Sequence, residues 1–509
     1  MLVSALMMRD IWRPAMSEAA IRSALRKLGP AGDVSHEEAV GGQAVREGAS
    51  EYAALVDSAQ ALRARGAVAD GAAMLRRAET VLATLNVARE NYHMIDDEFQ
   101  LPIVAARWLR DPGVTAAQRR AFLMDSSDGG GTRLARLIRE LSLVARLTAP
   151  YAARPDATNL VSFPPRDSGW ASASWRDSGA GYAGGRYAMD VNTIWVPHAL
   201  EATAVILAAV RELGLAPERT LREESMSDGA PLARWMRAPD TLRAAIATWK
   251  EASRHFVVTL PPADVRARIG ARLDAMPAME RAFWSARLRE NGADRDSLTF
   301  LALSLDEAGH PIEVANTDPA TRLFLGAREG PPGPLERVEM SRVLRDVRLF
   351  VRPYPAGLLV DGVGPATSND AFATPRVWRL FEHDAYHGPR VVWGREVNLF
   401  LLGIANQIAQ ATAASGAGGA GGAVSAVSAV GTVRTTERTA YVEELRAAAQ
   451  RVRSAVAASG FHGELWSYGF TNGRLVPMRY GTAGDVQLWS TTELAVEYAL
   501  SRAATKSRR

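Results

Sequence analysis

Apolar residues recur three and four positions apart through most of the chain, the spacing at which one face of an α-helix is buried. This spacing predicts helices over residues 17–28, 39–65, 69–90, 101–109, 133–147, 195–213, 239–252, 262–291, 334–351, 376–381, 396–413, 436–459 and 491–505. Paired in order they make about six helical hairpins. Two stretches lose the period. In the first, about residues 297–316, Leu-Thr-Phe-Leu-Ala-Leu-Ser-Leu meets Pro-Ile-Glu-Val across Asp306-Glu-Ala-Gly-His310, which predicts a small β-hairpin inserted between helices. The second spans 348–363.

With 47% hydrophobic and 23% charged residues in a chain of 509, the composition is that of a globular protein with a large core. The 60 basic residues outnumber the 56 acidic ones by four, too thin a surplus to imply a nucleic-acid partner. The chain has no cysteine, which removes disulfides, zinc-thiolate sites, iron-sulfur clusters and a cysteine nucleophile together. The apolar start up to Pro14 is short and lacks an upstream basic region, so it does not read as a secretory signal, and a cytoplasmic location is the expectation unless the true start lies upstream. The long uncharged run over 397–433 carries Asn398, Asn406, Gln407 and Gln410 and then turns into Ala, Gly and Ser. It reads as a buried helix followed by a mobile connector at about 411–433, not as a membrane span. Dinucleotide-binding, P-loop, zinc-protease and nucleophile-elbow motifs are absent.

The unusual residues gather in three loops. The first runs from Asp167 through Trp170, Trp175-Arg-Asp-Ser178 and Arg186 to Asp190-Val-Asn192, entering a helix at Trp195. The second runs from His383 through Trp393-Gly-Arg-Glu396 to Asn398. The third runs from Glu464-Leu-Trp466 to Trp489. These loops hold six of the twelve tryptophans. Indole faces stack on the C–H faces of a pyranose, and Asp, Glu, Asn and Arg bind the hydroxyls around its rim. Cleaving a glycosidic bond needs one carboxylic acid and one carboxylate and no cofactor or metal, so none is expected.

Several strings, most of them in these loops, resemble trehalase when taken in chain order. Ser168-Gly-Trp with Trp175-Arg-Asp-Ser and Met189-Asp-Val-Asn192 resembles a Gly-Trp-Asp loop that precedes a Val-Asp-Leu-Asn helix start. Gln100-Leu-Pro-Ile-Val, His387-Gly-Pro-Arg-Val-Val-Trp393 and Gly469-Phe-Thr-Asn-Gly473 follow the family's other segments. The chain thus resembles the six-hairpin glycosidases, which include trehalases, glucoamylases and amylo-1,6-glucosidases, from about residue 30 to its end. The resemblance implies an all-α fold, an (α/α)6 toroid with the small β-hairpin as an insertion. Residues 1–30 would be an N-terminal extension and 31–509 the catalytic barrel.

It further implies a glycoside hydrolase that inverts an α-glucoside-like oligosaccharide or polysaccharide, with carboxyl groups about 6.5–9.5 Å apart. The family's acid position is Ala171 here, so the resemblance moves the general acid to Asp177, with Asp167 in reserve. The partner carboxylate is expected at Glu464, with Asp485 as the alternative, since the family's Glu-Lys-Tyr is not reproduced.

The same reading places Trp170, Trp175, Arg176, Arg186, Asp190, Asn192, Trp393, Arg395, Glu396 and Trp466 around the sugar. Glu38 and Asp97 sit at loop-to-helix junctions, where they either cap helices or line the same mouth. The histidines at 36, 198, 383 and 387 form no metal-ligand spacing. Two rival readings use the same barrel: a sugar epimerase or lyase working through His383, Tyr386 or His387, and a carbohydrate-binding protein without activity.

Overall fold

The computed structural model describes residues 2–36, 38–39, 42–85, 89–90, 93–167, 169–224, 230–326, 335–382, 384–416, 435–480 and 491–506. The protein is mainly helical, with 62% helix and little sheet. The first half of the described chain contains α1 (Leu2–Met8), α2 (Pro14–Arg26), α3 (Gly42–Ala64), α4 (Val68–Ala83), α5 (Asp97–Leu109), α6 (Ala116–Met124), α7 (Arg133–Ala153), α8 (Val196–Glu212), α9 (Pro217–Glu223), α10 (Ala230–Arg237) and α11 (Pro239–Lys250). After these come α12 (Pro262–Asp274), α13 (Ala278–Asn291), α14 (Pro319–Leu325), α15 (Arg337–Val351), α16 (Pro375–Glu382), α17 (Gly394–Gly416), α18 (Thr435–Ser459) and α19 (Glu493–Lys506).

The helix predicted over 262–291 is two helices, because Pro277 cannot continue the first and instead caps the second, which ends on Gly292 at φ 62°. Pro at the first turn also opens α2, α8, α9, α11, α12 and α14, where its missing N–H costs nothing. α1 is buried along its whole length. It packs on α2 and α5 and touches α19, so residues 2–26 belong to the main core.

Helix α5 packs along α8, α14 along α17, and α17 along α19. α7, α11, α15 and α18 lie against this inner set. α8, with the π-helical turn at Val191–Trp195 before it, is apolar enough to reach a mean hydropathy of 1.5, yet 72% of that window is buried inside the protein. Its apolarity serves the core. The predicted connector over 411–433 begins as the last turns of α17, and residues 417–433 lie outside the described residues.

Short strands fill the gaps between helices. The segment at 297–316 does hold a turn of chain: Ser304–Leu305 (β1) pairs antiparallel with Pro311–Ile312 (β2). Its flanks pair elsewhere, Leu298–Leu301 with Val257–Leu260 and Ala315–Asn316 with Ser368–Asn369. The larger sheet lies in what the sequence presented as a Trp-rich loop. Val391–Trp393 (β3), Leu465–Thr471 (β4) and Arg474–Arg479 (β5) form three antiparallel strands.

Candidate active site

Four inner-helix starts each deliver a buried carboxyl to one region. Asp96 precedes α5, Asp190 precedes the π-turn leading into α8, Asp318 precedes α14, and Glu396 stands in the first turn of α17. All four are at most 1% exposed. A helix N-terminus favours negative charge, but complete burial disfavours it more. Burial pushes the Glu396 carboxyl up to about 7, with Arg395 opposing the shift and Asp318 adding to it. Burial likewise pushes Asp190 up to about 7, reinforced by Asp318, and holds Asp96 well above the usual carboxylate range, reinforced by Asp97 and Asp190. Two guanidiniums, Arg176 and Arg395, lie among these acids, and the raised pKa values of Glu396, Asp190 and Asp96 favour their protonated, hydrogen-bond-donating forms.

Arg176 is the hub. Its side chain is fully buried and makes five hydrogen bonds: Nε and Nη2 to Asp318 Oδ1, Nη1 to Ser368 Oγ, and Nη2 also to Thr317 Oγ1 and the Thr367 carbonyl. The pairing of Ala315–Asn316 with Ser368–Asn369 sets these acceptors side by side. Asn316 and Asn369 lock the two turns, each donating to two backbone carbonyls and accepting one backbone N–H. Gly181 lets the loop fold back, because a Cβ there would collide with the Arg176 carbonyl.

Above this network lie the aromatic residues. Trp175 donates Nε1 to Asp318 Oδ1 at 3.1 Å, and its ring lies 4.3 Å from the Arg176 guanidinium and 4.6 Å from that of Arg395. Its ring is therefore taken up by cations. Trp393 has His387 stacked parallel on one face at 5.4 Å, stands edge-on to Trp175 at 5.8 Å, and is partly exposed. Its remaining surface is the indole available for stacking.

Asp177 is exposed, but its neighbours are fixed: Arg176 as above, and Ser178, which donates to Asp384 Oδ2 at 2.6 Å and contacts His387 Nδ1 at 2.8 Å. Burial, then the Arg176 and Arg395 charges, hold His387 well below its usual pKa, so the ring is neutral and Nδ1–H donates to Ser178. Glu464 joins this region through its backbone. Trp393 pairs with Leu465, and Gly394 N–H donates to the Glu464 carbonyl at 2.8 Å. A side chain at Gly394 would strike the Gly463 carbonyl, so only glycine allows this approach. The Glu464 carboxyl is half-buried, and burial raises its pKa.

The structure thus brings together Trp175, Arg176, Asp190, Trp393, Arg395 and Glu396, with Asp177 next to Arg176 in the chain and Glu464 joined to Gly394 through its backbone. It places the other candidates elsewhere. Trp170 stacks under Arg186 at 4.3 Å, and Arg186 also donates to Ser162, forming a separate pair. Asn192 uses its whole amide on the backbone of Val161 and Ala188, and Trp466 is buried, donating to the Val363 carbonyl. Both build the scaffold. Asp97 accepts from His36 at 2.7 Å near the start of α5. Glu38 lies in a two-residue strand opposite Glu90. Asp167 is exposed, while Asp485, Trp489 and His383 lie outside the described residues.

Asp318 was not anticipated. Its signal was Asp318-Pro319, an acidic residue before a proline that can open a helix. Among the described residues, Asp96 Oδ1, Asp318 Oδ2, Thr367 Oγ1 and His387 Nε2 are buried without a hydrogen-bond partner, each at a cost of about 1–3 kcal/mol. Such a concentration of unmet polar atoms at one place is expected of a binding site, not of a core. Comparison of the chain with protein-family models, with curated proteins and with solved structures gives no match in any of the three.

Proposed function

We propose that the protein is a glycoside hydrolase in which Asp177 is the general acid and Glu464 the partner carboxylate that activates water. The observation that carries this reading is a half-buried carboxyl with a raised pKa, that of Glu464, whose backbone carbonyl accepts from Gly394 N–H next to the partly exposed Trp393. In this reading a sugar ring stacks on Trp393, which stands edge-on to Trp175 in the segment that carries Asp177. Asp177, clamped by its neighbours, would be desolvated by the arriving ligand, which raises its pKa toward that of an acid catalyst. The buried acids and Arg176 act from beneath, holding Trp175 and Arg395 in place. The run of neighbours from α1 through α5 and α8, and from α14 through α17 and α19 back to α1, supports an (α/α)6 ring around this mouth.

The substrate in this reading is an α-glucoside-like oligosaccharide. Hydrolysis of a panel of α- and β-linked disaccharides and aryl glycosides by the wild type, Asp177→Asn and Glu464→Gln tests it, with the product anomer followed by NMR. The expected result is sugar release with inversion, reduced about 10²–10⁴-fold in each variant. Release that survives in both variants removes these carboxyls from the mechanism. The exposure of Asp177 favours one second reading, a carbohydrate-binding protein on the same scaffold, for which Asp177→Asn would leave sugar affinity intact.

A further inference from the structure

A cavity of about 850 Å³ lies on the other side of the 384–391 loop, between the α12–α13 corner and the β3–β4–β5 sheet. Its size is that of a small-molecule site. The lining combines aromatic walls with two Arg–carboxylate pairs and the further carboxylates of Glu382 and Asp384. Glu280, 6% exposed, holds Arg390 at 2.5 Å, and Arg272 holds the fully buried Asp370 at 3.0 Å. Between the two pairs stands Tyr354, whose hydroxyl is held neutral by burial and by the Asp370 carboxylate. Tyr468 and Tyr480 form the wall on the sheet side, and Phe381 faces them from α16.

The chemistry selects a ligand. Arg272 and Arg390 each already have a carboxylate of their own, so no positive charge is left to hold a phosphate, while Glu382 and Asp384 line the cavity without a salt bridge among the described residues and offer lone pairs to hydroxyl groups. What remains is a set of N–H and O–H donors and carboxylate lone pairs beside flat aromatic surfaces, which suits a neutral ligand rich in hydroxyl groups. Asp384 joins the two regions: it lines this cavity while its Oδ2 receives the Ser178 hydroxyl beside Asp177.

We infer that this cavity is a second binding site, for a neutral polyhydroxylated ligand such as an oligosaccharide, with Tyr354 donating from its floor. The inference stands apart from the hydrolase reading, since it requires no catalysis. Titration calorimetry of the full chain with maltotriose and cellotriose tests it, with glucose 6-phosphate and glucuronate as charged controls. Tyr354→Phe removes one hydroxyl, and Met478→Trp, at a half-exposed position on the cavity wall, fills the space without touching the core. At least one neutral saccharide should bind and neither control should. Each variant should weaken binding about tenfold or more, while Trp393→Ala, at the other site, leaves it in place. No binding of either neutral saccharide, preference for a charged control, or affinity indifferent to both cavity variants overturns the inference.

Discussion

Arg176 aims Nε at 3.0 Å and Nη2 at 2.8 Å at the same oxygen of Asp318, Oδ1, and leaves Oδ2 without a hydrogen-bond partner among the described residues. Trp175 Nε1 donates to that oxygen too, so one atom organises the loop that carries Asp177. Both partners of the ion pair are fully buried, and removing one strands the other charge in a medium that solvates it poorly. Asp318→Asn should therefore cost about 3–5 kcal/mol of stability, read as a fall in the denaturation midpoint. A midpoint that stays where it was would show that the pair does not hold the loop.

The raised pKa of Glu464 has a kinetic signature. As the proposed base it must be ionised, so kcat/KM should fall as pH drops through its pKa. The acidic limb should lie above the ordinary glutamate value of about 4.3. Measuring the profile for the wild type and Glu464→Gln decides this: a limb at or below 4.3 in the wild type, or an unchanged limb in the variant, assigns it to another group.

Ser178 offers a test of positioning. Its hydroxyl links Asp384 to His387, and Ser178→Ala cuts that link without touching a carboxyl proposed to react. The expected effect is a fall in kcat of about tenfold with KM nearly constant, since Asp177 loses its fixed geometry while the Trp393 surface stays. A rise in KM alone would mean that Ser178 serves binding instead.

Glu140, in the middle of α7, predicts a pH effect on stability. Both its carboxyl oxygens are buried without a hydrogen-bond partner among the described residues, and burial, then the Glu98 charge, hold its pKa well above the usual range. The folded state keeps the proton while the unfolded chain releases it near pH 4.3. The contribution is therefore complete below that pH and is lost as pH rises toward the folded pKa. Glu140→Gln should raise the melting temperature at pH 7 to 8 and leave it nearly unchanged at pH 4. An equal shift at both values would point to packing.

Much of the helical framework was legible because a helix must repeat its apolar face every 3.6 residues, as in the segment observed as α7. The polar centre was legible in part. Arg176, Asp190, Arg395 and Glu396 stood out as charged groups beside Trp and Gly in long loops. Asp318 did not, because it follows a stretch with a strand-like period and its partners arrive from residues 367–368, which no local pattern connects to it. The β4–β5 hairpin was hidden by its tryptophan and glycines. Its turn is nevertheless Asn472-Gly473, both at positive φ, the sequence that two-residue hairpins favour. Strand alternation then explains Trp466, which faces inward and packs.

The convergence of four helix starts on one buried cluster ties the life of the site to that of the whole molecule. Asp96, Asp190, Asp318 and Glu396 come from opposite halves of the chain, and Arg176 from a fifth segment. No fragment carries the constellation, and no single helix can fray without exposing charges that only the others neutralise. The amide hydrogens of these first turns should exchange with solvent as slowly as those of the deepest core. Ligand affinity should then vanish in the same cooperative step that unfolds the protein, with no partly folded form able to keep it.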